Sequence, residues 1–304
     1  MKLSVKITLI FSAMMLTALF ILSFSAGQIS INGANAFTKA RFLNMSTSIQ
    51  RDLEQDVSMM QMTLRELSEN TTFMAALNQL VRDDSADQKM ALAAGRAALQ
   101  QLLQSPLVDT FYRVTFYTRD GIFITTHVER EQRLISGSEE AKREISTLSW
   151  LDRADDTYEP ILLAPHQDIF SPNSQVRVYG LVQQIRYRGN AIGYIEVSNQ
   201  YEDLERIMEF VDNPMVSVEA IFGDGQRLFE SQPASWSWPA DVPENTFTII
   251  ELEGDTSRAV LYTRLPRLGL RLYISQDGVF NQLANASQRR EMFRLALLIL
   301  LPSM

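Results

Sequence analysis

The sequence of 304 residues contains no cysteine and only two histidines, His127 and His166. The absence of cysteine excludes disulfides, thiolate catalysis and cysteine-ligated metals. Basic residues are fewer than acidic ones, 28 against 36, and the formal net charge is −8. Such a chain is a poor match for nucleic acids, whose phosphates are bound by lysine and arginine. We therefore expect no metal site, no cofactor and no nucleic-acid partner.

Sequence signatures of enzymes are also missing. The chain has no Gly-x-Ser-x-Gly nucleophile elbow, no glycine-rich phosphate-binding loop and no His-Glu-x-x-His zinc motif. Its Asp-Gly pairs at 120–121 and 224–225 are typical of tight turns. We predict no catalytic residue in this chain, and an exported hydrolase is the least favoured class of function.

A long apolar run lies near the N-terminus, from Ile7 to Ala26. Its length matches a membrane-spanning helix of ~20 residues and exceeds the ~7–15 residues of a signal-peptide core. Lys2 and Lys6 precede the run, which places the N-terminus in the cytoplasm by the positive-inside rule. We predict a transmembrane helix at 7–27 and an extracytoplasmic location for residues of about 28–290. Signal-peptide cleavage near Ala26 is the alternative.

A second apolar run lies near the C-terminus, from Leu295 to Leu301. It is shorter than a complete span. We interpret it as the start of a second transmembrane helix, which would return the chain to the cytoplasm and to an output domain. Arg289, Arg290 and Arg294 precede it and suit the membrane interface. A short amphipathic helix and a core helix are the alternatives.

The pattern between the two runs changes from helical to strand-like. Apolar residues recur every three or four positions from Phe42 to Val81, a segment without Gly or Pro. This spacing is typical of a coiled-coil seam. We interpret the helix as a stalk whose apolar stripe packs against its own domain over part of its length and forms a homodimer seam over another part.

Beyond residue 110, runs rich in β-branched and aromatic residues alternate with glycine turns, which predicts antiparallel strands.

Two β-rich modules of similar plan lie in series, so the predicted fold class is α+β. Each opens with a hairpin closed by an Asp-Gly pair and ends with two strands joined by a polar glycine turn. Residues 160–174 contain proline and are expected to form a loop. The predicted order is a cytoplasmic N-terminus at 1–6, a transmembrane helix at 7–27, stalk helices at 38–104, a membrane-distal PAS-like module at 105–211, a membrane-proximal PAS-like module at 215–276, an exit helix at 277–294 and the start of a second transmembrane helix at 295–304.

This order of elements resembles the double Cache sensor domain of bacterial transmembrane receptors, over nearly the whole chain. The stretches that carry the resemblance are VTFYTRDGIFITTH, STLSWLDRA, RVYGLVQQIRYRGNAIGYIEVSNQYEDLERI and VEAIFGDGQRLFES. The family implies a membrane-distal pocket for a small molecule and a membrane-proximal module that relays the signal. The ending AIGYIEVSNQYEDLERIM is most similar to sensor histidine kinases of Gram-positive bacteria, which implies a two-component receptor whose kinase lies outside these residues.

One subgroup of the family binds free amino acids through a motif that is incomplete here. The motif places an arginine two residues before the tryptophan and a tyrosine just after it, where this chain has Leu148 and Leu151. Its aspartate falls near Ile195, and the closest acid, Glu196, is one residue away, which on a strand means the opposite face. We therefore do not extend the resemblance to amino-acid recognition.

Candidate ligand-binding side chains lie in the first module. Trp150 is expected either to wall the pocket or to belong to the core. His166 and Asp168 either hydrogen-bond a polar ligand or contact water. An inward Arg177 would hold a carboxylate through two hydrogen bonds, and a solvated sheet face is the alternative. The complete set of predicted ligand-binding residues is Tyr117, Trp150, His166, Asp168, Arg177, Tyr179 and Glu196.

Together these features predict a receptor that senses a small molecule outside the cell. Ligand binding would shift an equilibrium between two arrangements of the chain and move one membrane helix relative to the other. The expected partners are a small-molecule ligand, the lipid bilayer and a second copy of the chain. A membrane-anchored binding or adhesion protein without signalling output is the alternative.

Overall fold

A computed structural model describes residues 3–82, 93–95, 97, 111–126, 134–171, 176–209, 216–231, 243–252 and 256–277. Contacts divide the chain into two units, one formed by residues 48–239 and 263–273, the other by residues 1–47, 240–262 and 274–304. The predicted start of a second span and all of the predicted exit helix except Asp277, which ends a strand, lie outside the described residues.

Two helices begin the chain: α1, Leu3–Glu69, and α2, Thr71–Arg82. Asn70 separates them, because its side-chain Oδ1 accepts a hydrogen bond from the backbone N–H of Phe73 at 2.9 Å and so caps the start of α2. The sequence analysis predicted one uninterrupted helix to Val81. The interruption at Asn70 corrects that prediction.

The apolar stripe of α1 is buried within the chain itself. Its buried members are Phe42, Met45, Ile49, Leu53, Val57, Met60, Leu64 and Leu67. In the unit that contains residues 1–47, the ring of Phe42 packs edge-on against Phe247, with 5.8 Å between centroids. The prediction that the stripe packs against its own domain is confirmed for these residues, and a dimer seam stays a prediction. Within the part of the chain that the structure describes, no helix is long and apolar enough to cross a membrane.

The first module contains a five-stranded antiparallel sheet in the order β2-β1-β5-β4-β3. Its strands are β1 Arg113–Tyr117, β2 Phe123–Thr125, β3 Ile161–Gln167, β4 Arg177–Tyr187 and β5 Asn190–Gln200. The helices of this region are α3 Glu139–Ser146, α4 Leu151–Asp155 and α5 Tyr201–Met208.

The second module repeats this plan, with a sheet in the order β7-β6-β10-β9-β8. Its strands are β6 Val216–Phe222, β7 Arg227–Glu230, β8 Thr246–Leu252, β9 Thr256–Leu265 and β10 Leu270–Asp277. In both sheets the opening hairpin pairs with the last strand of the module. The predicted α+β class with two antiparallel modules in series is confirmed.

The strand register defines two faces of the first sheet. The register places Glu196 of β5 opposite Val182 of β4, and Tyr194 opposite Tyr117 of β1. Directly opposed residues in an antiparallel pair share a face, so these four side chains define what we call the front face. Tyr179 and Asn199 are also opposed, but they alternate with the front-face residues and lie on the back face.

Strand β3 lies where the sequence analysis predicted a loop. It is an edge strand, and an edge tolerates Pro165 because one side of the strand needs no N–H donor. Leu163 pairs with Gly180 and His166 pairs with Val178, so three steps along β3 match two along β4. This β-bulge places both Leu163 and His166 on the front face, where strict alternation would separate them.

The close approach of β4 to β5 gives a test of the register. A Cβ on Gly180 would lie 2.2 Å from the backbone oxygen of Val197, which is part of the sheet. We expect Gly180→Ala to lower the free energy of unfolding by about 1–3 kcal/mol, the usual cost of overpacking. Gly223→Ala is the control, because a Cβ there meets nothing within 4 Å. Urea unfolding followed by circular dichroism measures both variants, and equal stabilities would contradict the register.

Candidate functional site

A cleft opens on the front face of the first sheet. Trp150, just before α4, forms one wall, and His166 with Asp168 at the end of β3 forms another. Glu196 of β5 and Leu148 also line it. The space between the side chains is about 180 Å³, including the part open to solvent. The enclosed part of the cleft is far smaller, about 10 Å³, which is close to the room that one water molecule needs.

Three side chains that line the cleft and the fully buried Tyr117 form a connected system that we call the Glu196 network. The indole Nε1 of Trp150 donates to the Tyr117 hydroxyl at 3.0 Å, and this hydroxyl donates to Oε2 of Glu196 at 3.2 Å. Nε2 of His166 lies 3.4 Å from Oε1 of Glu196. Glu196 is only 5% exposed, so these donors offset the cost of burying its charge.

His166 is oriented by its backbone and by the tryptophan ring. Its Nδ1 lies 2.9 Å from the carbonyl oxygen of Ala164, and its ring centroid is 4.4 Å from that of Trp150. Because a carbonyl oxygen only accepts, Nδ1 carries a hydrogen. Nε2 therefore donates to Glu196 only when the imidazole is protonated. Burial by itself lowers the pKa of His166, but the hydrogen bond and charge of Glu196 outweigh it and raise the pKa above its ordinary value.

A buried ion pair supports the cleft from below. Nη1 of Arg113 lies 2.6 Å from Oδ1 of Asp168, and the two residues are 2% and 5% exposed. The same Oδ1 accepts the backbone N–H of Phe170 at 2.9 Å. Oδ2 of Asp168 is buried and has no hydrogen-bond partner in the described part of the chain. Burial raises the pKa of Asp168, and the charge of Arg113 opposes this rise.

A second polar cluster fixes α4, and with it Trp150, on the sheet. Asp155 of α4 accepts hydrogen bonds from Arg119 at 2.5 Å, from the Tyr194 hydroxyl at 2.6 Å and from Gln184 at 2.5 Å. Although burial raises the pKa of Asp155, these donors outweigh burial and lower it. The cluster positions the tryptophan and does not line the cleft.

The structure brings five of the seven predicted ligand-binding residues together around the cleft: Tyr117, Trp150, His166, Asp168 and Glu196. Arg177 and Tyr179 do not lie with them. The guanidinium of Arg177 covers the ring of Tyr201 at 4.2 Å. The hydroxyl of Tyr179 donates to a carboxylate of α1. Both alternate with front-face residues of β4, which directs them away from the cleft.

The sequence analysis missed Arg113, and it included Glu196 although that residue lies one position beyond the aspartate of the amino-acid motif. Ile195, to which the amino-acid motif assigned its aspartate, pairs with Phe116 on the back face, whereas Glu196 faces the cleft. Arg113 lies on the same face of β1 as Thr115. The sequence signal that could have identified it is a charged residue within a strand that is otherwise apolar, aromatic or β-branched.

The back face of the same sheet binds the stalk. Asp56 of α1 accepts a hydrogen bond from the Tyr179 hydroxyl at 2.8 Å through Oδ2, and from Nδ2 of Asn199 at 3.1 Å through Oδ1. Burial raises the pKa of Asp56, while the two hydrogen bonds act to lower it. Strand β5 thus carries Glu196 toward the cleft and Asn199, three residues later, toward α1.

Comparison with solved structures identifies the fold. The ligand-binding domain of the Campylobacter jejuni chemoreceptor Tlp3, in complex with L-norvaline, matches with a TM-score of 0.58 and 16% identity, over 81% of this chain and 92% of that one. That of the Pseudomonas fluorescens chemoreceptor CtaA, in complex with L-isoleucine, matches with a TM-score of 0.51 and 16% identity, over 83% and 96%. The chain has the double Cache fold.

A further double Cache domain, that of the amino-acid chemoreceptor PctB of Pseudomonas aeruginosa PAO1 in complex with L-Gln, matches with a TM-score of 0.51 and 18% identity, over 83% of this chain and 95% of that one. No family model matches the sequence, and no curated protein matches it at the sequence level. At such identities the comparisons establish the fold, and the chemistry of the cleft has to be argued from its own side chains.

Titration of His166 tests the Glu196 network. In a His127→Gln background only one imidazole remains, so its NMR titration is unambiguous. We expect its pKa to lie above the ordinary 6.5, and to fall below 6.5 when Glu196→Gln removes the charge but leaves the burial. A pKa that does not respond to Glu196→Gln would contradict the contact.

The same shift predicts a pH dependence of stability. Because the pKa of His166 is raised in the folded state, this residue adds stability that is fully present below its unfolded pKa of about 6.5 and is lost as the pH rises through its folded pKa. Urea unfolding at several pH values should show this loss, and the variant His166→Gln should lack it while His127→Gln retains it.

Proposed function

We propose that the chain is the sensor part of a transmembrane receptor, and that its first module binds a small solute in the front-face cleft. The observation that carries the proposal is the Glu196 network, a buried set of oriented donors and acceptors in a cleft whose lining is half polar and half apolar. Placed polar groups in a partly apolar cleft are typical of small-molecule recognition. The fold supports the same conclusion, because the Tlp3, CtaA and PctB domains were solved with bound amino acids.

The proposal places residues of about 28–290 outside the cell. This location is supported by the apolar run at 7–27, by the two lysines before that run and by the predicted return helix at 295–304. The resemblance of residues 191–208, in β5 and α5, to sensor histidine kinases supports such a kinase, in a two-component system, as the output. A homodimer formed through the stalk would bring two such outputs together. Adhesion is less favoured, because it calls for a broad exposed surface and not a small cleft with buried polar side chains.

Strand β5 provides a physical route from the cleft to the stalk. A ligand that contacts Glu196 acts on the strand that also holds Asn199 against Asp56 of α1. A ligand shifts a conformational equilibrium only through its difference in affinity for the two states. Coupling free energies of about 1–3 kcal/mol are typical of such systems.

A thermal-shift screen tests binding. A panel of amino acids, organic acids, amines and sugars is added to the chain, and a bound solute at 100 times its dissociation constant should raise the melting temperature by about 5–10 °C. Trp150→Ala should abolish the shift relative to its own unliganded melting temperature, because it removes one wall of the cleft. Tyr158→Ala, which truncates an aromatic side chain that is 70% exposed, should retain it. A panel in which no solute stabilises the chain would contradict direct sensing.

A further inference from the structure

The turn between β4 and β5 contains a residue that its backbone conformation disfavours. Tyr187 pairs with Asn190, so Arg188 and Gly189 are the two central residues of the turn. Their φ angles are 51° and 86°. Two positive φ angles are typical of a type I′ turn, whose first central position favours asparagine, aspartate or glycine over a long side chain. An arginine that is retained in a disfavoured conformation suggests a function for its side chain.

The side chains around this turn form an exposed group of arginines and tyrosines. The guanidinium of Arg186 lies 4.6 Å from the ring centroid of Tyr158, and that of Arg188 lies 5.4 Å from the ring centroid of Tyr187. Both arginines are exposed, and Tyr158 is 70% exposed. We call these four residues the hairpin tip. A guanidinium that rests on a ring keeps its N–H edge free to bind a carboxylate through two hydrogen bonds.

The positive charge of the hairpin tip is not neutralised by the described part of the chain. Among the residues that the structure describes, neither Arg186 nor Arg188 contacts a carboxylate, and Nε of Arg186 donates to the side chain of Gln184 at 2.9 Å. By contrast, the exposed Arg119 and Arg153 of the same module are paired with aspartates. The whole chain carries a formal net charge of −8. The hairpin tip is therefore a local binding surface for an anion on an acidic protein.

The hairpin tip lies at the end of the first sheet that is remote from the second module. Strand β4 begins at Arg177, which packs on Tyr201, and the ring of Tyr201 lies 6.3 Å from that of Phe229 in β7. Arg186 is farther along β4 by a distance of ~30 Å at the usual rise of a strand. We predict that the second module lies nearer to the membrane, so the hairpin tip faces away from the lipid surface that anchors the chain. A lipid headgroup is therefore not the expected anion.

We propose that the hairpin tip docks an acidic segment of a second extracytoplasmic protein, with its carboxylates on Arg186 and Arg188 and an apolar contact on Tyr158. Arginine and tyrosine are enriched among the residues that dominate protein–protein binding. Side chains that already rest on each other lose less conformational freedom when a partner binds. This site is separate from the front-face cleft and goes beyond its proposed function.

Fluorescence anisotropy of the full chain with a labelled acidic peptide tests the docking surface. The probe is a peptide of repeated Glu-Glu-Gly units, and the matched peptide carries Gln in place of each Glu. At low ionic strength we expect the Glu peptide to bind at least ten-fold more tightly than the Gln peptide. Added salt should weaken this binding, because exposed charge pairs are screened.

Three variants locate the bound peptide. Arg186→Gln and Tyr158→Ala should each weaken binding of the Glu peptide by about ten-fold, the usual effect of removing a dominant contact. Arg271→Gln is the control, because it removes the same charge from an exposed position of β10 and should leave binding unchanged. Trp150→Ala should also bind the peptide normally, so a failure of the cleft as a solute site would not affect this result.

A fourth variant separates binding from stability. Arg188→Asn creates the Asn-Gly pair that a type I′ turn favours. We therefore expect a higher melting temperature together with weaker binding of the Glu peptide. A lower melting temperature would show that the arginine serves the stability of the turn, and would overturn the inference.

Three further results would overturn the inference. The first is equal binding of the Glu and Gln peptides, which includes the absence of binding by both. The second is unchanged peptide binding in Arg186→Gln and Arg188→Asn. The third is binding of polygalacturonate, or of vesicles that contain phosphatidylglycerol, through the hairpin tip when the Glu peptide does not bind. That result would assign the surface to a polysaccharide or to a lipid.

Discussion

The two-residue alternation of strand β5 is the constraint on which the rest of this structure depends. Its register against β1 and β4 sends Glu196 to the front face and Asn199 to the back face. A slip of one residue in this register would move Glu196 to the back face and Asn199 to the front face. Every other side chain of the strand would change face as well. The cleft and the stalk contact are therefore two consequences of one register, held by hydrogen bonds on both edges of β5.

Carboxylates contact both faces of this sheet, and they are stabilised in two ways. Asp56 and Glu196 accept hydrogen bonds from tyrosine hydroxyls, whereas Asp168 is paired with a buried arginine. Breaking a buried ion pair by removing one partner typically costs about 3–5 kcal/mol. The Arg113–Asp168 pair therefore stabilises the base of the cleft, although Nε of Arg113 and Oδ2 of Asp168 have no hydrogen-bond partner among the described residues.

Much of the fold was predictable because its signals are local. The Asp-Gly turns, the β-branched runs and the three-to-four spacing of α1 each depend on a few neighbouring residues, and the structure confirms two antiparallel modules behind a long helix. Strand β3 escaped prediction because Pro165 argues against a strand unless that strand is known to be an edge. The cap at Asn70 was a weaker local signal within an otherwise continuous apolar pattern.

The site was less predictable because its contacts join distant parts of the sequence. His166 and Asp168 were selected as polar residues of a segment predicted to form a loop over the pocket, but the bulge that turns His166 into the cleft is a property of the pairing with β4. Arg177 and Tyr179 are as polar and aromatic as the residues of the cleft, and only the assignment of faces separates them. The pairing of Arg113 with Asp168, 55 positions apart, leaves no periodic trace in the sequence.

The central claim is that one sheet transmits ligand binding from the cleft to the stalk. Hydrogen–deuterium exchange of the full chain, with and without a solute that stabilises it, measures this directly. The account predicts altered protection in the part of α1 around Asp56, and loss of that change in Tyr179→Phe with binding retained. Protection that changes only around the cleft, with α1 unaffected in the original chain, would contradict it.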